Sequence, residues 1–186
     1  MTSYFADIWR LRYFWLSLVR SDLRSRYRRS VLGVGWSLLQ PIVMTLVLCA
    51  VFGQIFQLDI RNYGPFILAG LVVWNFLAAA LSQGCQSFVM GEPYLRQCPV
   101  PLAVFSLRTI LGAGIHLLIG LAVVIVTTWC LQGFANLASL VSLLPALALL
   151  FVVGWALATC MAVVNVLFYD TQHLTEVAIQ ILFYAT

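Results

Sequence analysis

The stretch TILGAGIHLLIGLAVVIVTTWCLQGFANLASLVSLLPALALLFVVGWALATCMAVVNVLFY (residues 109–169) carries no charged side chain over 61 residues. A helix crosses the roughly 30 Å hydrocarbon core of a bilayer with about 20 apolar residues. The stretch is therefore too long for one membrane span and long enough for two. The polar residues Gln132 and Asn136, together with Gly133, interrupt the apolar run, so we expect spans at about 103–131 and 140–168.

The composition of the whole chain also indicates a membrane protein. The 186 residues are 63% hydrophobic and only 9% charged, with a mean hydropathy of +1.01, whereas soluble domains carry about 25% charged residues. A soluble globule of this composition would expose large apolar patches. Further charge-free runs predict spans at about 34–57, 64–88 and 172–186. The expected fold class is an all-α polytopic membrane protein with four complete spans and a fifth begun.

The last apolar run is short for a membrane span. Its 16 residues, 171–186, would reach only about 24 Å as a helix. The alternatives are a re-entrant segment and a span whose end is missing from this chain, and we expect the second.

Basic charge is concentrated ahead of the first span. Residues 1–30 hold seven arginines and two aspartates, a net charge of +5, while the rest of the chain nets −1. The positive-inside rule places this segment in the cytoplasm. The turns at 58–63 and 132–139 then lie outside the cell, and the segments at 91–108 and 169–173 lie inside.

The N-terminal segment 1–30 has the periodicity of an amphipathic helix. Its apolar residues recur at helical spacing: Ile8, Leu11, Trp15, Leu18 and Val19. Serines and arginines follow another face, a pattern typical of a helix lying in the membrane interface. The alternative is a basic tail that only sets topology. We expect residues 1–30 to form this interfacial helix and basic tract, and residues 31–186 to form the transmembrane domain.

The transition from basic tract to first span is abrupt. Arginines at lipid phosphates and a tryptophan at the membrane interface are common anchors of a span. We expect this role for a group of residues on both sides of the transition: Arg24, Arg26, Tyr27, Arg28, Arg29 and Trp36.

The sequence argues against catalysis in this chain. All ten basic residues are arginine, and a nucleotide-binding P-loop requires a lysine, so any ATP hydrolysis through that motif needs another polypeptide. The five cysteines show no C-x-x-C spacing, and His116 and His173 lie far apart in the chain. We expect no catalytic residue, no metal and no cofactor.

The segment GEPYLRQCPVP (91–101) is too polar for the hydrocarbon layer. Proline suits the first position of a helix and also its stop. We expect a helix of one to two turns within about 92–99, parallel to the membrane. The alternative is a simple tight connection between two spans.

Several segments resemble one family of membrane proteins. The segment RSDLRSRYRRSVLGVGWSLLQP (20–41) resembles the N-terminal signature of type-2 ABC transporter permeases that export polysaccharides and polyol phosphates. Similar segments follow in order: YGPFILAGLVVWNF (63–76), GEPYLRQCPVPLAV (91–104) and NVLFYDTQHLTEVAIQILFYAT (165–186). The most similar subgroup exports O-antigen and related lipid-linked polysaccharides. Tyr169 departs from the family pattern, because many relatives have arginine there.

The resemblance implies a homodimer of six-span subunits that binds two copies of a separate ATPase. It also implies a lipid-linked polysaccharide substrate, moved across the bacterial cytoplasmic membrane. The ATPase would dock on the 91–101 segment, through Glu92, Tyr94, Leu95 and Arg96. Membrane lipids, but no nucleic acid, are expected as further partners. Two alternatives remain: an ATP-independent flippase or other secondary transporter, and a membrane assembly subunit without a transport role.

Three polar residues in or near the spans are candidates for the substrate path. His116 lies in the middle of the third predicted span, where polar groups tend to be functional, but it can also bond a backbone carbonyl. Arg108 is close enough to the predicted cytoplasmic end to extend its side chain to the headgroups. Glu176 can contact substrate or stabilise the start of its helix through the helix dipole.

Overall fold

The structure, a computed structural model, describes residues 8–27, 35–56, 60–97, 100–133 and 137–185. Residues 8–10 are helical and precede the longer helices. The longer helices are α1 (Arg12–Tyr27), α2 (Gly35–Phe56), α3 (Ile60–Leu95), α4 (Ala103–Gln132), α5 (Leu137–Leu167) and α6 (Thr171–Ala185). The expectation of an all-α protein is confirmed.

Three of these helices contain segments long and apolar enough to cross a membrane. The segments are Tyr63–Leu95, Ala103–Gln132 and Val141–Leu167. In α2 the corresponding apolar segment, Leu39–Val51, is shorter, and the 15 residues of α6 extend only about 22 Å. The chain is therefore a multi-pass membrane protein, and spanning by α2 and α6 stays a prediction.

The break between α4 and α5 has the geometry of a helix C-terminus. Gly133 follows the last residue of α4 with φ of 87°, the left-handed region that glycine adopts without steric cost. Its amide donates a hydrogen bond to the carbonyl of Trp129 at 3.1 Å, as in helices that end in a left-handed glycine. The interruption near Gln132 and Gly133 was thus correctly interpreted from the sequence as the end of a helix.

The chain forms two compact units. The first contains α1 up to Arg26, α3 from Leu77, α4 up to Ala113, α5 from Leu150, and α6. The second contains α2 and the remaining parts of α3, α4 and α5. Within the second unit, α3 and α4 approach closely, because a Cβ added at Gly120 would lie 2.7 Å from a methyl carbon of Val72.

Small residues bring α3 and α5 together in the first unit. A Cβ added at Gly84 would lie 2.7 Å from the Cα of Ala158, and both Ala158 and Ala162 are fully buried. In a membrane the interior and the lipid are equally apolar, so close packing of small residues is a main source of attraction between helices.

Hydrogen bonds join α4 and α5 in the same unit. The hydroxyl of the fully buried Ser106 lies 2.9 Å from that of Thr159, and the indole N–H of Trp155 donates to the Ser106 hydroxyl at 3.2 Å. The three side chains form a polar cluster inside an apolar contact, where each group left unpaired would be costly.

Substituting Ser106→Ala should therefore destabilise the protein by about 1 kcal/mol, the usual scale for hydrogen bonds between membrane helices. The change leaves the indole N–H of Trp155 without its acceptor. Thermal unfolding in detergent measures the loss. Ser82→Ala is the matched control, because the Ser82 hydroxyl bonds only a carbonyl of its own helix, Ala78 at 2.9 Å. Equal effects of the two substitutions would contradict the proposed weight of the cluster.

Candidate functional site where α3 ends and α4 begins

The predicted separate helix at 92–99 is wrong. Residues up to Leu95 continue α3, and the chain closes it with hydrogen bonds from the amide of Arg96 to the carbonyl of Glu92 at 3.2 Å and from Gln97 to Tyr94 at 3.1 Å. Pro93 was interpreted as a helix start, but its fixed φ is compatible with a helix, and α3 contains it in its last turn with the loss of one amide hydrogen bond. We call residues 92–97 the terminal turn of α3. Cys98 and Pro99 lie outside the described residues.

The terminal turn presents both signs of charge to solvent. The guanidinium of Arg96 lies 2.6 Å from the carboxylate of Glu92, one helical turn earlier. The two side chains are 78% and 56% exposed, so the pair contributes little to stability. Both charges therefore remain accessible to solvent.

Tyr94 faces the protein as well as solvent. Its ring lies 6.0 Å from that of Phe14 of α1 in an edge-to-face arrangement, and 6.2 Å from the ring of Phe105 of α4. Phe105 is buried and packs over Gly91, where an added Cβ would lie 2.7 Å from its ring. Tyr94 thus links three helices, while Leu95 beside it is half-buried.

The predicted apolar face of residues 8–27, which comprise the helical residues 8–10 and α1, is largely buried within the chain. Ile8, Leu18 and Val19 are 6 to 7% exposed. A second face, opposite to the first at helical spacing, is exposed: Trp9, Tyr13 and Leu16 are 67, 74 and 49% exposed. The guanidinium of Arg12 lies 4.8 Å from the centre of the Tyr13 ring and 5.8 Å from that of Trp9.

These observations correct the interpretation of α1 in one respect. The helix exists and its apolar residues share a face, but that face packs on the protein. The exposed face is the aromatic and basic one around Trp9 and Tyr13, with Arg10, Arg20 and Arg24 exposed nearby. Sequence periodicity found one apolar face and missed the other, whose stripe of Trp9, Tyr13 and Leu16 continues into Arg20 at helical spacing.

Arg108 has a partner that the sequence did not indicate. Its Nε and a terminal nitrogen each donate to a different carboxylate oxygen of Asp22 in α1, both at 2.5 Å. The Arg108 side chain is 16% exposed and that of Asp22 48%. This two-bond geometry matches the fork of a guanidinium to a carboxylate. From the sequence, Arg108 was expected to reach the headgroups or the substrate, and an ion pair within the chain was not predicted.

The remaining candidates at the start of the first span are only partly described. Arg24 is exposed in α1, and Trp36, in the first turn of α2, is 55% exposed. The side chains of Arg26 and Tyr27, and all of Arg28 and Arg29, lie outside the described residues.

Glu176 belongs to a hydrogen-bonded series of polar side chains. The amide of Gln86 in α3 donates to the side-chain carbonyl of Gln172 in α6, and the amide of Gln172 donates to the carboxylate of Glu176 at 3.1 Å. Gln180, one turn further along α6, is also exposed. His116, the third candidate for the substrate path, is half-buried and belongs to the second unit.

The long apolar helices define the chain as a multi-pass membrane protein, and comparison with known proteins identifies its family. The sequence profile of the ABC-2 type transporter family matches residues 13–186. The chain belongs to this family.

The chain is also similar to proteins named as O-antigen export permeases. An O-antigen export system permease protein RfbA from Klebsiella pneumoniae is 25% identical over 91% of this chain and 65% of its own length. A protein of the same name from Myxococcus xanthus is 26% identical over 97% of this chain and 69% of its own length. The chain thus spans about two thirds of the length of the curated relatives it matches.

Proposed function

We propose that this chain is the membrane-spanning channel subunit of an ABC exporter that moves a lipid-linked polysaccharide, similar to O-antigen, across the cytoplasmic membrane. The observation that carries the proposal is membership of the ABC-2 type transporter family over residues 13–186. Relatives named as O-antigen export permeases support the substrate class. The full assembly is a homodimer of this subunit with two copies of a separate ATPase.

The terminal turn of α3 is the docking site for the ATPase in this proposal. Glu92 and Arg96 are exposed and carry opposite charges, and charges at the rim of an interface select the partner and its register more than they raise affinity. Leu95 supplies apolar contact next to them. Tyr94 supports the turn from behind through its contacts with Phe14 and Phe105.

The N-terminus lies on the cytoplasmic side of the bacterial inner membrane in this proposal. The arginine excess of residues 1–30 supports this orientation. The exposed aromatic residues Trp9 and Tyr13, with Arg12 against their rings, suit a helix at the level of the lipid headgroups.

Glu176 and His116 are the proposed contacts on the substrate path. Gln172, Glu176 and Gln180 follow one another at intervals of four residues in α6 and so form a polar stripe along that helix. Carboxylates accept hydrogen bonds from the hydroxyls of a sugar, and amides both accept and donate them. Such groups are costly within membrane segments, so their presence there points to a function. Arg108 is not included, because Asp22 engages its guanidinium.

The alternative is an ATP-independent flippase or other secondary transporter. Such proteins use charged residues near the middle of the membrane for ion coupling. The spans predicted from this sequence carry no charge at their centres, which favours the ABC exporter.

Transport in inverted membrane vesicles tests the proposal against both alternatives. Vesicles contain the permease with its co-expressed ATPase, and a labelled lipid-linked glycan is supplied on the cytoplasmic face. We expect glycan to reach the lumen only with ATP, and not when the ATPase lacks its P-loop lysine. ATP-independent transport that a proton ionophore stops would favour a secondary transporter. Failure to transport under either condition would favour an assembly subunit.

A further inference from the structure

Two contacts tie α1 to the place where α3 ends and α4 begins. One is the ion pair between Asp22 and Arg108, in which both carboxylate oxygens are engaged. The other is the aromatic series from Phe14 through Tyr94 to Phe105. Phe14 and Asp22 are eight residues apart on α1, about 12 Å along the helix axis, so the two contacts together restrain its direction as well as its position.

The ion pair is specific to one acidic residue of α1. Asp22 lies between Arg20 and Arg24, two residues from each. Both of these arginines, like Arg10, are exposed and have no acidic partner among the described residues. Arg108 is mostly buried, and a buried charge that loses its partner is strongly destabilised. Arg108 therefore has a strong energetic preference for the arrangement in which α1 is in place.

The terminal turn of α3 shares this attachment. Tyr94 belongs to the turn and contacts both α1 and α4, and Arg96 follows two residues later. While the ion pair is intact, α1 is held at both Phe14 and Asp22, and a force on the turn is transmitted to it. Without the pair, α1 keeps the aromatic contact and the packing of Leu18 and Val19, but it loses its polar link to α4.

We infer that Asp22 and Arg108 are positioning residues that make α1 and the terminal turn of α3 move as one body, so that displacement of the turn by a docked ATPase also displaces α1. This inference rests on the proposed function, in which the turn binds the ATPase. Asp22 and Arg108 contact neither the ATPase nor the glycan in this mechanism. They determine how much of the motion of the turn reaches the rest of the first unit.

Asp22→Asn tests the inference, because it removes the charge and nearly preserves the shape of a half-exposed side chain. The measurement is glycan exported per ATP hydrolysed by the full permease with its ATPase, and the amount of permease in the membrane is determined separately. We expect this ratio to fall about tenfold, within the usual range of a coupling free energy between two sites. Co-purification of the ATPase should persist, because the docking turn is unchanged.

Two further variants complete the experiment. Arg108→Lys keeps the charge but loses the two-bond fork, so we expect a ratio between those of the unmodified protein and Asp22→Asn. Arg20→Gln is the matched control, since it removes a charge from the exposed side of the same helix. Its ratio should remain within about twofold of the unmodified value, the scale of exposed ion pairs.

The outcomes separate positioning from simple stabilisation. If Asp22→Asn lowers the amount of permease but leaves export per ATP unchanged, the pair only stabilises the fold and the inference is wrong. An equal fall with Arg20→Gln would assign the effect to the charge of α1 in general and would also overturn it. If Arg96→Glu abolishes export while Asp22→Asn has no effect, docking at the turn stands and only this inference fails.

Discussion

Reversing the charge of Arg96 to glutamate should prevent ATPase binding and stop glycan from reaching the cell surface. The substitution places two carboxylates one turn apart at a helix C-terminus, which costs only about 0.5 kcal/mol at an exposed site, so the fold and membrane insertion should persist. The exposed terminal turn, however, changes from mixed charge to acidic. Pull-down of the ATPase and a blot for surface glycan measure the two consequences.

Two comparisons make this result specific to the terminal turn. Arg20→Glu introduces the same charge change on the exposed side of α1 and should leave ATPase binding intact. Leu95→Asp should impair binding as Arg96→Glu does, because it removes the apolar contact beside the charges. A compensating charge on the ATPase should restore part of the loss with Arg96→Glu. If both variants at the turn bind the ATPase and export normally, the turn is only a connection and coupling runs through α1.

Adding one methyl group at Gly84 should destabilise the first unit by about 2 kcal/mol, in the range of overpacked sites. In Gly84→Ala the new Cβ would lie 2.7 Å from the Cα of Ala158. The neighbouring atom belongs to the backbone and cannot rotate away, so α3 and α5 must separate. Thermal unfolding in detergent measures the loss, together with the yield of folded protein from the membrane.

Gly112→Ala is the matched control, because it is the same substitution in a helix of the same unit with no atom within 4 Å of the added Cβ. It should raise stability by about 0.5–1 kcal/mol, since alanine loses less backbone entropy than glycine in a helix. The two substitutions should therefore have opposite signs. A stabilising effect at both positions would mean that α3 and α5 are not in close contact at Gly84.

The helices themselves were largely predictable from the sequence. Long charge-free runs specify membrane segments because a backbone in hydrocarbon must satisfy its own hydrogen bonds, and a helix does so locally. The end of α4 could be placed at Gln132 and Gly133, because a polar residue and a glycine interrupt the apolar run there. The end of α3 could not, because Pro93, two residues before Leu95, looked like a boundary and is instead contained in the last turn of the helix.

The faces of α1 show the limit of periodicity. Ile8, Leu18 and Val19 were correctly grouped on one apolar face. Whether that face meets lipid or protein depends on which other helices pack against it, and the apolar periodicity of one helix contains no such information. The exposed face around Trp9 and Tyr13 was apparent only when the first was seen to be buried.

The composition and the distribution of arginine determined by themselves that this chain is a helical membrane protein with its basic charge before the first span. Both properties depend on transfer of each segment between water and lipid, which is a local quantity. Only the tertiary structure decided that Arg108 pairs with Asp22 across 86 residues and that Tyr94 contacts two other helices. Such pairings depend on which helix faces meet, and any of several arginines could have bound Asp22 with similar intrinsic energy. The packing of α1 against α3 and α4 brings one of them within 2.5 Å.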